Sequence, residues 1–154
     1  MAQNVLTRDA KRGKGAGSKP RFAEMLGISA KGIGELVRRV QAGFGFSALI
    51  RFQKTSGFPL ATIAQLLQIP PRTLARRKAI GRLAPQESER LLRIAHVFAK
   101  AVDLFEGDVA EARNWFSRPK RALDYESPIS FAKTELGARE VEELIDRLEY
   151  GIFS

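Results

Sequence analysis

The 154-residue sequence contains no cysteine and only one histidine and one tryptophan. Without cysteine the chain forms neither disulfides nor cysteine-based zinc sites, which suits a reducing compartment. No apolar run approaches the roughly 20 residues that a helix needs to cross a bilayer, and the N-terminus lacks a hydrophobic signal core. These absences predict a soluble, intracellular protein.

Motifs of catalysis are also missing from the sequence. No phosphate-binding loop, zinc-ligand spacing or nucleophile elbow is present. The single histidine, His96, stands inside an apolar segment without sequence partners for a metal site or a catalytic triad. We therefore expect no enzymatic activity, no metal and no cofactor.

Acidic residues are scarce in the first half of the chain. Residues 1–83 hold 16 Lys/Arg against 3 Asp/Glu, a net charge of +13, whereas residues 84–154 hold 10 against 14, a net charge of −4. A strongly basic segment favours a polyanion such as nucleic acid, while a mildly acidic one is better suited to contact protein. The two halves are thus predicted to have different partners.

Segments with the alternating pattern of strands are absent, whereas apolar spacings of three and four recur from about Ile28 onward. We predict an all-α fold in three parts: a basic, Gly-rich flexible arm (residues 1–27), a helix-turn-helix domain (28–84) and a small helical domain (85–154). Residues 85–107 carry apolar side chains around most of the helix circumference, which predicts a central buried helix. Trp115 and Phe116 are expected to fill the core of the C-terminal unit.

The stretch "LATIAQLLQIPPRTLARRKAIGRL" (residues 60–83) has the punctuation of a helix-turn-helix. A short apolar helix precedes a tight turn at residues 68–70, and Pro71 opens a second helix. A Ser, Thr, Asp or Asn is expected at the N-cap of that helix, but Pro70 stands there. The helix start, and with it the choice of groove-facing residues, can therefore shift by one position.

The second helix of this motif carries most of its charge on one side. At 100° per residue, Arg72, Thr73, Arg76 and Arg77 fall within about 140° of one another, with Leu74 on the far side. Such a helix fits the major groove of DNA, where arginine binds guanine. The predicted DNA-binding residues are Arg72, Thr73, Arg76, Arg77 and Lys78. The alternative is a solvated charged face on a core helix.

The chain ends in "LEYGIFS" (residues 148–154), an apolar and aromatic tail after an acidic helix. Gly151 can end the helix in a left-handed conformation and release the residues that follow. Exposed aromatics at a terminus gain nothing unless they are buried against something. The tail is therefore expected either to dock on a partner or to fold back over its own core.

Three short motifs near the C-terminus, "NWFSRP", "SPISFAKTELG" and "VEELIDRLEYGIFS", occur in that order between His96 and Ser154. This region resembles the toxin-binding domain of the Xre/MbcA/ParS antitoxin family, and "PPRTLARRK...GRL" resembles the helix-turn-helix of its Xre members. One segment departs from the family pattern. Where members often have a glycine-rich turn and an asparagine, "PKRALDYESP" has Lys120 and no glycine, which leaves the conformation of this loop open.

The resemblance implies a bacterial cytoplasmic antitoxin whose partner is a RES-domain toxin that consumes NAD. It implies that the C-terminal end covers the toxin's active site and that the helix-turn-helix, as a homodimer, binds operator DNA and represses the shared operon. The residues implied in toxin binding are Arg147, Glu149, Tyr150, Gly151, Ile152, Phe153 and Ser154. The alternative is a stand-alone dimeric helix-turn-helix regulator without a toxin partner.

Overall fold

A computed structural model of the protein describes residues 19–151. This range is helical throughout and contains no strand; two isolated β-bridges join Gly45 to Arg82 and Lys120 to Glu126. The prediction of an all-α fold is confirmed. The helices are α1 (Arg21–Leu26), α2 (Ile33–Ala42), α3 (Phe46–Ser56), α4 (Leu60–Leu66), α5 (Pro71–Ile80), α6 (Pro85–Leu104), α7 (Val109–Ser117), α8 (Pro128–Phe131) and α9 (Glu135–Glu149), with a 3-10 turn at Arg121–Leu123 between α7 and α8.

The longest helix, α6, is the centre of the fold. It packs against α1, α2, α7 and α9. Phe98 of α6 is fully buried and contacts the rings of Phe52, Phe58 and Phe116 at centroid distances of 6.2, 5.1 and 5.4 Å. Because aromatic residues from both halves of the chain meet on α6, the described residues share one continuous core. The predicted central buried helix is confirmed.

The helix-turn-helix consists of α4, a turn at residues 67–70, and α5. Gln68 in the turn has a φ of 58°, and the amide of Ile69 donates to the carbonyl of Ala64 at 2.9 Å. Ile63 and Leu67 are fully buried and Ile69 nearly so, which anchors the turn on the core. The turn is thus held by its apolar side chains although it has no glycine.

The N-terminal arm is shorter than the sequence predicted. Residues 21–26, assigned to the flexible arm 1–27, form helix α1, in which Phe22, Met25 and Leu26 are buried against α3 and α6. Side chains of α3 cap its C-terminal carbonyls: Arg51 Nε donates to Glu24 O at 2.8 Å and Thr55 Oγ1 to Met25 O at 3.1 Å. Residues 1–18 of the predicted arm lie outside the described residues.

Helices α7, α8 and α9 each begin with a side-chain N-cap, from Asp108, Ser127 and Thr134 respectively. The last two helices approach very closely at Gly137, where a Cβ would overlap the carbonyl oxygen of Phe131. Any larger residue at position 137 would therefore push α9 away from α8. This contact gives a physical reason for the glycine in "SPISFAKTELG".

The C-terminal unit is attached to the helix-turn-helix half through α7 as well as α6. Arg113 Nη1 donates to Ser56 O at the end of α3, at a distance of 2.9 Å. Phe116 is fully buried and Trp115 partly buried, so both aromatic residues pack in the core as expected. The two predicted domains, 28–84 and 85–154, are therefore in extensive contact, with α6 serving both.

Candidate functional sites

Helix α5 presents an exposed basic stripe. None of its residues is fully buried, and only Thr73, Leu74 and Arg77 are partly buried. Leu74 packs on the core, whereas Arg72, Arg76 and Lys78 are exposed. The structure thus brings three of the five predicted DNA-binding residues to the surface of one helix and leaves Thr73 at its edge.

Arg77 does not share this exposed stripe. Its Nε donates to Glu87 Oε1 of α6 at 2.8 Å, and its side chain is only 22% exposed. Glu87 is buried, and the same carboxylate oxygen accepts from the amide of Ala84 at 2.8 Å. Helical periodicity alone predicts a groove-facing position for Arg77. The structure places it in an ion pair that attaches α5 to the first turn of α6.

Two small residues on α5 complete the stripe. Ala75 and Ala79 are exposed and, with Arg72 and Arg76, follow the spacing of three and four that places residues on one helix face. Alanine allows close approach and can contact the methyl group of thymine. The prediction from the sequence selected charged residues and therefore did not include these two alanines, although their spacing from the arginines is visible there.

The C-terminal end of α5 is tied to the loop between α2 and α3. The amide of Phe46 donates to Gly81 O at 2.9 Å, and that of Leu83 to Phe44 O at 2.8 Å. Ser88 of α6, fully buried, accepts the amide of Phe44 at 2.8 Å. Together with the Arg77–Glu87 pair, these bonds fix the orientation of α5 on the rest of the molecule.

Helix α9 is held on α6 by three side-chain contacts, two of them ion pairs and one between a histidine and a carboxylate. Arg93, His96 and Lys100 of α6 face Glu135, Glu142 and Asp146 of α9 at 3.3, 3.1 and 2.8 Å. Residue numbers rise together on both helices, so α6 and α9 run parallel and α9 ends beside the C-terminal end of α6. Three carboxylates of α9 therefore contact α6 within the protein's own fold.

The end of α9 exposes part of the predicted toxin-binding segment. The helix ends at Glu149, Tyr150 is its C-cap and is 64% exposed, and Gly151 adopts a φ of 67°. Arg147 is half-buried and Glu149 exposed. The left-handed glycine expected at the end of the helix is present. Ile152, Phe153 and Ser154 lie outside the described residues.

The loop that departs from the family pattern is tightly closed. Lys120 and Glu126 form an isolated bridge, with the Lys120 amide donating to Glu126 O at 3.0 Å. Lys120 Nζ lies 5.0 Å from the centroid of the Trp115 ring. Burial, with a smaller contribution from Arg118, lowers the pKa of Lys120. Sequence reasoning left this loop open because it has no glycine to mark the turn.

Within residues 19–151, no cluster of three or more His, Asp or Glu side chains could hold a metal ion. His96 Nδ1 lies 3.1 Å from Glu142 Oε1, and its ring packs edge-on against Phe22 with centroids 5.5 Å apart. The histidine thus joins three helices in the core. In the same range, no helix is long and apolar enough to span a membrane.

The fold and its exposed basic helix define a helix-turn-helix protein with an appended helical unit. Comparison with protein families gives two matches along the chain: the antitoxin Xre-like helix-turn-helix domain at residues 35–96, and the antitoxin Xre/MbcA/ParS C-terminal toxin-binding domain at residues 100–151. Both family boundaries fall inside α6, downstream of the boundary at residue 84 that the sequence suggested. Helix α6 contributes to both units, because the first match ends inside it at residue 96 and the second begins inside it at residue 100.

Three curated proteins named Antitoxin Xre are similar to this chain. That of Yersinia enterocolitica serotype O:8 is 41% identical over 130 residues, covering 84% of this chain and 88% of the relative. That of Photorhabdus laumondii is 38% identical over 113 residues, covering 73% and 76%, and that of Pseudomonas putida is 31% identical over 118 residues, covering 76% and 72%. The chain belongs to the Xre/MbcA/ParS antitoxin family.

Proposed function

We propose that this protein neutralises a RES-domain toxin that consumes NAD, covering the toxin's active site with its C-terminal end, and that it represses its own operon through the helix-turn-helix. The observation that carries the toxin-binding part is the exposed end of α9. Tyr150 is 64% exposed there, and Gly151 has a φ of 67°, the left-handed conformation that ends the helix.

The contacts of Tyr150 to Ser154 with the toxin would be mainly apolar. Aromatic anchors dominate many protein interfaces, and burying one large apolar side chain contributes roughly 1.5–3 kcal/mol. Arg147 and Glu149, on the last turn of α9, would contribute to the rim of the interface.

Operator binding is supported by the basic stripe of α5 and by its rigid attachment. Arg72 and Arg76 are exposed at a spacing of one helical turn, so both can reach base edges in one groove. Thr73 and Lys78 flank the stripe and suit phosphate contacts. Since one short helix reads few base pairs, we propose that two copies bind paired half-sites as a homodimer.

The test is co-expression with the product of the adjacent reading frame in the bacterial cytoplasm. We expect that product to be a RES-type protein, to co-purify with this chain, and to stop consuming NAD when the chain is added in equimolar amounts. In a control reaction, the neighbouring product mixed with the variant lacking residues 150–154 should continue to consume NAD. A chain that binds operator DNA but neither binds nor inhibits the neighbouring product would instead be a stand-alone regulator.

A further inference from the structure

The loop between α7 and α8 contains two consecutive residues in left-handed backbone conformation. Asp124 has a φ of 53° and Tyr125 a φ of 66°. For a bulky side chain this conformation is rare and costs roughly 1–2 kcal/mol. Glycine or asparagine would adopt the same backbone with less strain, so the backbone alone does not account for a tyrosine at position 125.

Hydrogen bonds within the loop hold this strained conformation. Besides the bridge between Lys120 and Glu126, the amides of Leu123 and Tyr125 both donate to Lys120 O, at 3.0 and 2.9 Å. Leu123 is only 1% exposed and anchors the loop in the core. The loop is therefore a rigid feature of the surface.

The side chain of Tyr125 contributes little to the protein's own core. The residue is 70% exposed. A rigidly presented tyrosine offers a large contact area at a low entropic cost, which is the property of binding anchors. Strained residues of this kind are held in place where they serve a function.

The position of the loop relates it to the end of α9. Trp115 packs on Phe105, the residue that caps α6, with ring centroids 6.3 Å apart, and Lys120 lies over Trp115. The pairing of Lys100 with Asp146 brings the last turn of α9 to this same end of α6. The base of the loop and the last turn of α9 are thus both linked to the C-terminal end of the central helix.

We propose that Tyr125 is a second aromatic anchor for the toxin, acting beside the C-terminal end. This inference rests on the proposed toxin-binding function and names a surface outside the tail. The tail would enter the toxin, and the preformed loop would contact the toxin's surface next to it. The partner is the same toxin, because the loop lies within the stretch, residues 100–151, that matches the toxin-binding domain.

The test compares the affinity of full-length variants for purified cognate toxin by isothermal titration calorimetry. Tyr125→Ala should weaken binding at least tenfold, whereas Tyr125→Phe, which keeps the ring, should bind within about threefold of wild type. Leu136→Ala is the matched control. Leu136 is 72% exposed but lies on the first turn of α9, at the opposite end, and its loss should leave affinity unchanged.

A second variant separates binding from folding. Tyr125→Gly removes the strain as well as the ring, so its melting temperature should be no more than about 2 °C below wild type while toxin affinity falls as for Tyr125→Ala. If Tyr125→Ala and Tyr125→Gly both bind the toxin with wild-type affinity while Tyr150→Ala binds it more weakly, Tyr125 is not a second anchor. The proposed function would still stand. A wild-type chain that binds no toxin would overturn both.

Discussion

Replacing Glu87 by alanine tests how helix α5 is held in place. The Glu87 carboxylate accepts from Arg77 Nε and from the Ala84 amide, each at 2.8 Å, and the residue is only 7% exposed. Alanine removes both bonds. It leaves the Arg77 guanidinium without its partner and one amide at the start of α6 without an acceptor.

The expected loss of stability follows from these two contacts. A hydrogen bond to a charged group contributes about 1.5–3 kcal/mol, and a side-chain cap at a helix start about 1 kcal/mol. The two contributions come from one carboxylate, so they are not additive. The Arg77 side chain is 22% exposed and can regain some hydration when its partner is lost, which reduces the cost further. We therefore expect a loss of roughly 2–3 kcal/mol. For a chain of this length that lowers the melting temperature by roughly 4–12 °C.

The assay is thermal unfolding followed by circular dichroism, with Glu87→Gln as the matched control. Glutamine keeps one acceptor oxygen and should lose less than half as much stability as alanine. Because α5 is freed from α6, operator affinity measured at 20 °C should also fall in Glu87→Ala while the protein remains folded. A melting temperature within about 2 °C of wild type would refute the assigned role of Glu87.

Three further substitutions have defined outcomes. Arg76→Ala should weaken operator binding in gel-shift titrations at fixed salt and leave toxin neutralisation intact; unchanged affinity would remove Arg76 from the reading face. Ser88→Ala leaves the buried amide of Phe44 unpaired and should cost about 1–3 kcal/mol, which a urea unfolding curve would measure. The hydrogen bond from the Lys31 amide, reinforced by Arg39, lowers the pKa of Glu35 from its ordinary value of 4.5. The stability from this carboxylate is therefore fully present above pH 4.5 and is lost as the pH falls through the lowered pKa, so the advantage of wild type over Glu35→Gln should shrink as the pH is lowered below 4.5; a constant difference would contradict it.

Much of this architecture could be predicted from the spacing of apolar residues. The all-α fold, the buried helix α6 and the helix-turn-helix all follow from local patterns that span a helical turn or more. Pro71 marked the start of α5 correctly even though Pro70 offers no side-chain cap. Helix α1 escaped prediction because its six residues adjoin a basic, glycine-rich segment and are stabilised by contacts with α3 and α6.

What the sequence could not show are contacts between residues far apart in the chain. The position of Arg77 around the axis of α5 is compatible with a residue that faces the DNA groove. No local sequence feature indicates that Glu87, on the next helix, pairs with it. Likewise, Asp124 and Tyr125 have positive φ angles, and this loop has no glycine, which is the residue that usually marks such a turn. Both features depend on tertiary packing, and both bear on the sites proposed here.

We propose that toxin binding and DNA binding reside on separate elements, the end of α9 and helix α5. Deleting residues 150–154 tests it most directly, with NAD consumption by the cognate toxin as the readout. The truncated protein should melt within about 2 °C of wild type and bind operator DNA with wild-type affinity, but fail to inhibit the toxin. Losing two aromatic anchors worth a few kcal/mol each would weaken the complex by several orders of magnitude, since ~1.4 kcal/mol is tenfold. A sharply lower melting temperature, or full inhibition by the truncated protein, would show that the tail is structural and contradict the claim.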